Sequence, residues 1–521
     1  MEKYILGSSL LLAASGVVEA QNQVENTVKG EVRVDKPHIV LIMSDQHRGD
    51  AMNCMGNSAV VTPNMDALAQ DGTLFTNGYS STPSSTPARA GLLTGLSPWH
   101  HGMLGYGRVG SSYRYEMPAM LRELGYFTFG IGKMHWFPQK TLHGFHGTLV
   151  DESGRVESDD FISDYRLWFH MQAPGKNPDA TGIGWNDHGA GVYRLSEELH
   201  PTAWTGQMAC EMIRNYDKGS GESLFLKVSF ARPHSPYDPP QRLLELYEGR
   251  NVSEPVVGEW CKDKEYAVLQ DVATAPKDAA FGNFGKEYAK KSRRYYYANV
   301  TFVDEEIGKV IKALKEEGMY DNALICYISD HGDMLGDHHH WRKTYPYEGS
   351  VHVPYIVKWP AKCGFAKGGK VEAPVELRDL LPTFLDMAGG KVPEDMDGCS
   401  LAGLMRDGDG AWRKYIDLEH ATCYSPDNYW CALTDGKVKY VWRFHTGEEE
   451  LFDLSKDPYE LKNVVNEKRY RSLLLTLRKA MVEHLSERGE EFVKEDKLQV
   501  LRHTVLYSPF FPDENPVDTG I

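Results

Sequence analysis

Four short apolar runs, each followed at once by ionisable side chains, constrain the fold of this chain most. They are His38-Ile39-Val40-Leu41-Ile42-Met43 and residues 126–131, 224–230 and 324–328. An unbroken apolar run of that length suits a strand covered on both faces. Between the runs lie helical patterns. Residues 118–124 open on Pro118, which suits a first helical position. Residues 303–317 carry Val303, Ile307, Val310, Ile311 and Leu314 at helical spacing. Strands alternating with helices from His38 to about Leu404 predict an α/β fold, a large mostly parallel sheet sandwiched by helices. Residues 345–360 lead into a further strand, and the Gly-, Asp- and aromatic-rich stretch 151–199 reads as a long insertion shaping a cleft.

The pattern changes after about Asp407. Residues 430–434 and 438–441 around Asp435-Gly436 predict a hairpin. Residues 450–454 read as a third strand and 469–485 as an amphipathic helix, together a smaller α+β subdomain. The tail from Glu495, with Pro509, Pro512 and Pro516, is expected to wrap the surface. The expected division is a signal peptide at 1–20, a linker at 21–36, a catalytic α/β domain at 37–405, and the subdomain with its tail at 406–521.

In an open α/β sheet, ligands bind beyond the carboxyl ends of the strands. The four runs end on Asp45-Gln46, on Lys133 and His135, on His234, and on Asp330-His331, so these side chains are expected on one rim. Each has an ordinary reading when taken singly. Asp45 could cap a turn, His135 could be a simple hydrogen-bonded histidine, and Lys343 could be a solvated surface lysine. Asp333 and Asp337 read as supporting or surface residues. Convergence is what sets the group apart.

Met1-Glu2-Lys3, the mostly apolar stretch 4–18 and the small residues at Val18-Glu19-Ala20 read as a secretory signal cut near Ala20. A membrane anchor would need a longer run, about 18 clean apolar residues. No cysteine lies near the cut, which argues against a lipoprotein, and no later segment is apolar enough to span a bilayer. The net charge of −16 argues against a nucleic-acid partner, though a few buried cations can still dominate one cleft. Among the eight cysteines none forms a close metal-ligand pair; Cys423 and Cys431 could bridge a hairpin, and Cys326 reads as a buried thiol. The Asn251-Val252-Ser253 and Asn299-Val300-Thr301 sequons are taken as chance.

The stretch Ser85-Thr86-Pro87-Ala88-Arg89-Ala90-Gly91-Leu92-Leu93-Thr94-Gly95 decides the functional reading. By itself it reads as a helix start with a capping serine. It also resembles the signature of the formylglycine-dependent sulfatase family, in which Cys or Ser precedes x-Pro-x-Arg and Leu-Thr-Gly. Further motifs resemble that family in its order. They are Ile42-Met43-Ser44-Asp45-Gln46, Gly132-Lys133-Met134-His135, Pro233-His234-Ser235-Pro236, Ser329-Asp330-His331-Gly332-Asp333, Lys343-Thr344-Tyr345-Pro346-Tyr347-Glu348-Gly349, and Glu450-Leu451-Phe452-Asp453-Leu454 with Asp457-Pro458. The resemblance spans residues 36–465 and implies the fold of the alkaline phosphatase superfamily.

The resemblance implies oxidation of Ser85 to formylglycine by a separate, serine-competent radical maturation enzyme of bacteria. The hydrate of that aldehyde would attack sulfur as a gem-diol. Asp45, Gln46, Ser85 in its matured form, Asp330 and His331 would hold one divalent cation. Many family members have Asp where Gln46 stands and Asn where His331 stands; calcium is expected, with manganese or another divalent ion as the alternative. Arg89 would stabilise the hydrate and the carboxylates, Lys133, Lys343 and His135 would offset sulfate charge, and His234 would protonate the leaving alcohol. The implied activity is that of an exported sulfatase, periplasmic or secreted, acting on a sulfated saccharide. A narrower resemblance, carried by the metal set and the run 230–240, is to glycosaminoglycan uronate 2-O-sulfatases. The alternatives are a phosphonate or phosphodiester hydrolase on the same fold, and a non-catalytic glycan-binding protein with unmodified serine. Arg232, residues 151–199 and the region of His445 are the candidates for substrate contacts.

Overall fold

A computed structural model describes residues 36–514. The expected signal peptide and all but the last residue of the linker lie outside the described residues. In chain order the main strands are β1 (His38–Asp45), β2 (Thr73–Phe75), β3 (Tyr126–Gly132), β4 (Gly147–Val150), β5 (Ser223–Pro233), β6 (Ala323–Ser329), β7 (Tyr355–Lys358) and β8 (Gly369–Val371). They form one sheet in the order β4-β3-β5-β1-β6-β7-β2-β8. Every neighbouring pair is parallel except those made by β7, which runs antiparallel to both β6 and β2. The mostly parallel α/β sheet is therefore as the sequence predicts.

Both faces of β1 are covered, which explains its unbroken apolar run. The helices used below are α1 (Ser85–Thr94), α2 (Met117–Glu123), α3 (Pro201–Asn215), α4 (Lys286–Glu316), α5 (Leu380–Met387) and α6 (Arg471–Leu485). Ile39, Leu41 and Met43 share a core with Leu121 of α2 and Leu381 and Phe384 of α5. On β5, Phe225 meets Phe384 at a ring separation of 6.0 Å. Helices α3 and α4 pack on each other and on β5. A fully buried side chain of this kind stabilises by roughly 1.5–3 kcal/mol, so the central strands are rigid platforms for what stands at their ends.

Helix α4 begins at Lys286, well before the expected 303. Its first half carries no clean apolar stripe because polar side chains are buried there. Tyr296 donates to the Gln46 carbonyl at 2.6 Å, and Arg293 pairs with Asp337. Tertiary contacts thus decide a helix that periodicity alone does not show.

The C-terminal region forms an antiparallel meander of β9 (Ile416–His420), β10 (Trp430–Thr434), β11 (Val438–Arg443) and β12 (Glu449–Asp453). The hairpin about Asp435-Gly436, the third strand and the helix appear as expected; α6 buries Leu474, Leu477, Met481 and Leu485. Strand β9 is an addition. Its sequence, IDLEH, hides it because the charged positions are buried in ion pairs, Asp417 with Arg378 and Glu419 with Arg488. The described tail lies along residues 102–111: Leu104 N–H donates to Leu506 O and Ser508 N–H to Gly102 O, each at 2.9 Å.

The suggested Cys423–Cys431 bridge is not formed; both thiols are free, and Cys431 sits 3.4 Å from the Met481 sulfur. Cys326 is fully buried in β6, as expected. Asn299 is buried inside α4 and cannot accept a glycan. Among the described residues no helix is long and apolar enough to cross a membrane.

Candidate active site

The carboxyl ends of four adjacent strands bring the ionisable residues together. Asp45 ends β1; Asp330 and His331 follow β6; Lys133 and His135 follow β3; His234 follows β5. The strand ends are tied directly, since His234 N–H donates to Asp45 O at 3.0 Å and Lys133 N–H to Ser229 O at 2.8 Å. Gly132 makes the second tie possible. It lies at φ 90°, and a Cβ there would stand 2.0 Å from the Ser229 carbonyl oxygen.

Ser84 caps α1 in extended conformation, so Ser85 is the first helical residue, at the end of a helix whose free N–H groups suit an anion. Ser85 Oγ lies 3.0 Å from His331 Nε2, and 3.5 and 3.4 Å from the two oxygens of Asp45. Arg89 is one turn on and shares that face. Its Nε donates to Asp330 Oδ2 at 2.9 Å, and its two terminal nitrogens to Lys133 O at 2.5 Å, Ser229 Oγ at 3.1 Å and Asp45 Oδ2 at 3.3 Å. Its partners are therefore the carboxylates and the chain beside them.

Asp45, Asp330 and His331 present ligand atoms that all lie within 4.8 Å of one another, fully buried. His331 Nδ1 contacts the Gly332 carbonyl at 3.0 Å and must donate to it, so Nε2 keeps its lone pair. That lone pair faces Asp45 Oδ1 at 3.6 Å and Asp330 Oδ1 at 3.7 Å. Three lone pairs converging without a donor among them suit a divalent cation, and two carboxylates with one imidazole accommodate calcium or manganese. The outer oxygen of Asp45 pairs with Lys133 at 2.5 Å. Burial works to raise the Asp45 carboxyl, but Lys133, His234, Arg89 and His331 hold it well below the usual range.

Gln46 departs from this trio. Its amide donates to Asp333 Oδ2 at 2.6 Å, and its Oε1 accepts from Lys343 Nζ at 2.8 Å. Lys343 is buried, not a solvated lysine. Its Nζ also donates to His234 Nε2 at 2.9 Å, while His234 Nδ1 donates to Ser235 O at 3.0 Å. Burial pushes the Lys343 ammonium down to about 7 and, with Lys343 beside it, holds His234 well below its usual range. Lys343 and His234 are therefore joined by one buried hydrogen bond. Asp333 and Asp337 are buried rather than surface residues; Asp333 also accepts from Tyr237 at 2.6 Å, and Asp337 pairs with Arg48 at 2.9 Å and with Arg293.

His135 is buried with both ring nitrogens unpartnered. Burial, then Arg155, Lys133 and Arg89, hold it neutral at ordinary pH. Its backbone sits at φ 60°, held by Glu152, which accepts the N–H groups of Met134 and His135 at 3.0 and 2.9 Å. Gln46, Arg342, Thr344 and Tyr424 share this left-handed region, at φ 69°, 69°, 83° and 64°. Such conformations cost about 1–3 kcal/mol each and persist where surrounding contacts over-determine them. All five stand at or beside one cleft of about 320 Å³, lined by Ser85, His135, Lys343, Trp185, Tyr106 and Tyr424 among others. Trp185 comes from the 151–199 insertion, as that stretch's expected role requires.

Two expected substrate contacts are occupied elsewhere. Arg232 is buried against Asp238, at 2.7 and 3.0 Å. His445 bonds Leu501 O at 2.9 Å, Thr504 at 3.2 Å and Thr422 at 3.3 Å, and does not line the cleft. Conversely, sequence reading missed His420. From β9 its Nε2 accepts from Ser84 Oγ at 2.8 Å. Nothing in the sequence of a charged edge strand signals this contact.

A family model described as Sulfatase matches residues 37–390, and one described as N-sulphoglucosamine sulphohydrolase, C-terminal, matches residues 336–487. The chain is 37% identical over 479 residues to an arylsulfatase of Clostridium perfringens, covering 89% of this chain and 97% of that one. It is 31% identical over 452 residues to a choline-sulfatase of Rhizobium meliloti, covering 83% of each. The phosphonate monoester hydrolase of Agrobacterium radiobacter superposes with a TM-score of 0.71 at 24% identity, covering 90% of this chain and 100% of that one; this is a likeness of fold.

Proposed function

Since the chain belongs to the sulfatase family, and so hydrolyses sulfate esters, we propose that it releases sulfate from a carbohydrate with Ser85 as the precursor of its nucleophile. The observation carrying this reading is the position of Ser85 Oγ, at a helix start, 3.0 Å from His331 Nε2 and beside Asp45. A formylglycine made from Ser85 by a separate maturation enzyme, with a divalent cation held by Asp45, Asp330 and His331, would supply an acidified hydroxyl that serine lacks.

The chain's own residues do the rest. The N–H groups opening α1 face the sulfate. Lys133 and Lys343 offset charge growing on its oxygens, in a dry site where such charges act strongly. Lys343 and His234 together deliver a proton to the departing alcohol oxygen. His135, neutral and unpartnered, accepts a proton when the nucleophile is regenerated. Arg89 and Lys133 keep the carboxylates ionised and in place; Gln46 keeps Lys343 in reach.

The test is protein co-produced with a serine-competent radical maturation enzyme. The Ser85 peptide should weigh less by two hydrogens, and sulfate should be released from sulfated saccharides. Ser85→Ala should lower release at least about 10³-fold, as loss of a covalent nucleophile does; retained release overturns the reading. Unmodified Ser85 in protein from its native cell would favour the glycan-binding alternative. Faster turnover of phosphonate or phosphodiester substrates would favour the hydrolase alternative. The narrower reading, 2-O-sulfated uronic acid of glycosaminoglycan origin, goes to a panel of 2-O-, 3-O-, 4-O- and 6-O-sulfated disaccharides; exclusive 6-O activity rejects it. A relative named for choline sulfate raises a cationic substrate as a second reading, but Arg108, Arg155 and Arg342, which line the cleft, oppose it. Export, to the periplasm or beyond, is read from residues 1–20, and N-terminal sequencing of native protein tests it.

A further inference from the structure

Three arginines line the same cleft as Ser85: Arg108, Arg155 and Arg342. Elsewhere in this chain buried arginines pair with carboxylates: Arg89 with Asp45 and Asp330, Arg232 with Asp238, and Arg488 with Glu419. The three at the cleft differ. Among the described residues none of them lies within 4.0 Å of a carboxylate oxygen. Each also keeps a buried nitrogen without a hydrogen-bond partner: Nε of Arg108, Nη1 of Arg155 and Nε of Arg342. Arg342 is only 7% exposed. In a chain of net charge −16, leaving three such cations unpaired around one cavity is costly without a ligand. One acidic residue, Glu157, lines the cleft with them, which leaves a clear positive excess.

The arginines are also held in place. Arg108 lies over the Phe137 ring at 3.9 Å, Arg155 over Trp185 at 4.4 Å, and Arg342 over Tyr424 at 4.6 Å. Arg342 further donates to Asp278 O at 2.9 Å, and both Arg342 and Tyr424 have left-handed backbones. Stacking on a ring orients the planar guanidinium fork and leaves its edge free for a carboxylate or sulfate. The reacting anion has other partners, Lys133, Lys343 and the start of α1. The three forks are therefore surplus to a substrate with one negative charge.

We propose that Arg108, Arg155 and Arg342 form a clamp for a second anionic group, a carboxylate or a further sulfate on the same saccharide, which makes multiply charged saccharides the substrate class. The clamp rests on the sulfatase reading only for the identity of the first anion. It selects a saccharide by charge placed beside the scissile ester and rejects sulfate esters whose other charge is absent or positive.

The test uses the Ser85→Ala protein, so that binding is read without turnover. Calorimetric titration compares 2-O-, 4-O- and 6-O-sulfated uronate-containing disaccharides, each beside its carboxyl-reduced counterpart, and choline O-sulfate. For the tightest pair, loss of the carboxylate should weaken binding at least about tenfold, the scale of one charge-assisted hydrogen-bond pair. Added in that background, Arg155→Gln or Arg108→Gln, both at half-buried positions, should narrow this preference about tenfold; Arg342→Gln should do the same if its melting transition is retained. Equal binding within every pair together with no gain in binding when a second sulfate is added to the carboxyl-reduced disaccharides, a preference surviving the Arg108→Gln/Arg155→Gln double change, or tighter binding of choline O-sulfate overturns the clamp. If the preference holds but matured wild-type protein releases no sulfate from the preferred disaccharide, the sulfatase reading fails and the clamp stands.

Discussion

His420 touches Ser84 from 336 positions away, and so couples the C-terminal sheet to the residue that opens the helix carrying Ser85. Its Nδ1 contacts the Ala421 carbonyl at 2.6 Å and must donate there, which makes Nε2 the acceptor and requires a neutral ring. Burial pushes its pKa from 6.5 down to about 4. Between those values the unfolded chain takes up a proton that the folded chain refuses. The stability this residue confers is therefore complete above pH 6.5 and is lost as the pH falls toward 4, by about 3 kcal/mol. Urea titrations should show wild type losing that much more than His420→Gln between pH 6.5 and 4; parallel pH profiles would show that burial does not set this residue's titration. At this scale, Asp45, Lys133, His135, His234, Asp330 and His331 were legible because each stands within a few positions of a strand end. Lys343 was not legible as a buried partner of Gln46 and His234, since no apolar run precedes it.

Among the elements, the strands were the most legible, because a strand covered on both faces must be apolar throughout. Strand β9 and the first half of α4 were not, because their polar residues are buried against partners distant in sequence. The end of β3 shows how finely an element must be placed. Gly132 supports Lys133 only while no side chain intervenes between β3 and the Ser229 carbonyl. Gly132→Ala adds a Cβ 2.0 Å from that oxygen and forces a side chain into φ 90°. The expected loss is about 2–4 kcal/mol from strain and overpacking, together with a displaced Lys133 and lower activity. Thermal melting checks the first and a crystal structure the second; an unchanged melt would mean that the two strands part without cost.

Over the whole molecule, the region after residue 405 is a partner of the sheet rather than an appendage. Lys439 is buried between Glu348 and Glu460, at 2.7 Å from each. Trp430 donates to Thr344 O at 2.9 Å and Asn428 to Thr344 Oγ1 at 2.9 Å, fixing the residue beside Lys343. Residues 37–405 alone would leave Glu348 without Lys439 and buried Asp379 without Arg413, and breaking one buried ion pair costs about 3–5 kcal/mol. That fragment should fail to give a soluble, cooperatively melting protein; a fragment melting at the temperature of the full chain would overturn this. By itself the sequence determined the parallel sheet, the rim where its strands end, and the chemical types gathered there. Periodicity and chain order encode these directly, through which faces must leave water. Only the tertiary structure decided which lone pairs converge, which cations pair with which carboxylates, and which arginines are left for a ligand. Those depend on distances of a few ångströms between segments hundreds of residues apart, and no local pattern carries them.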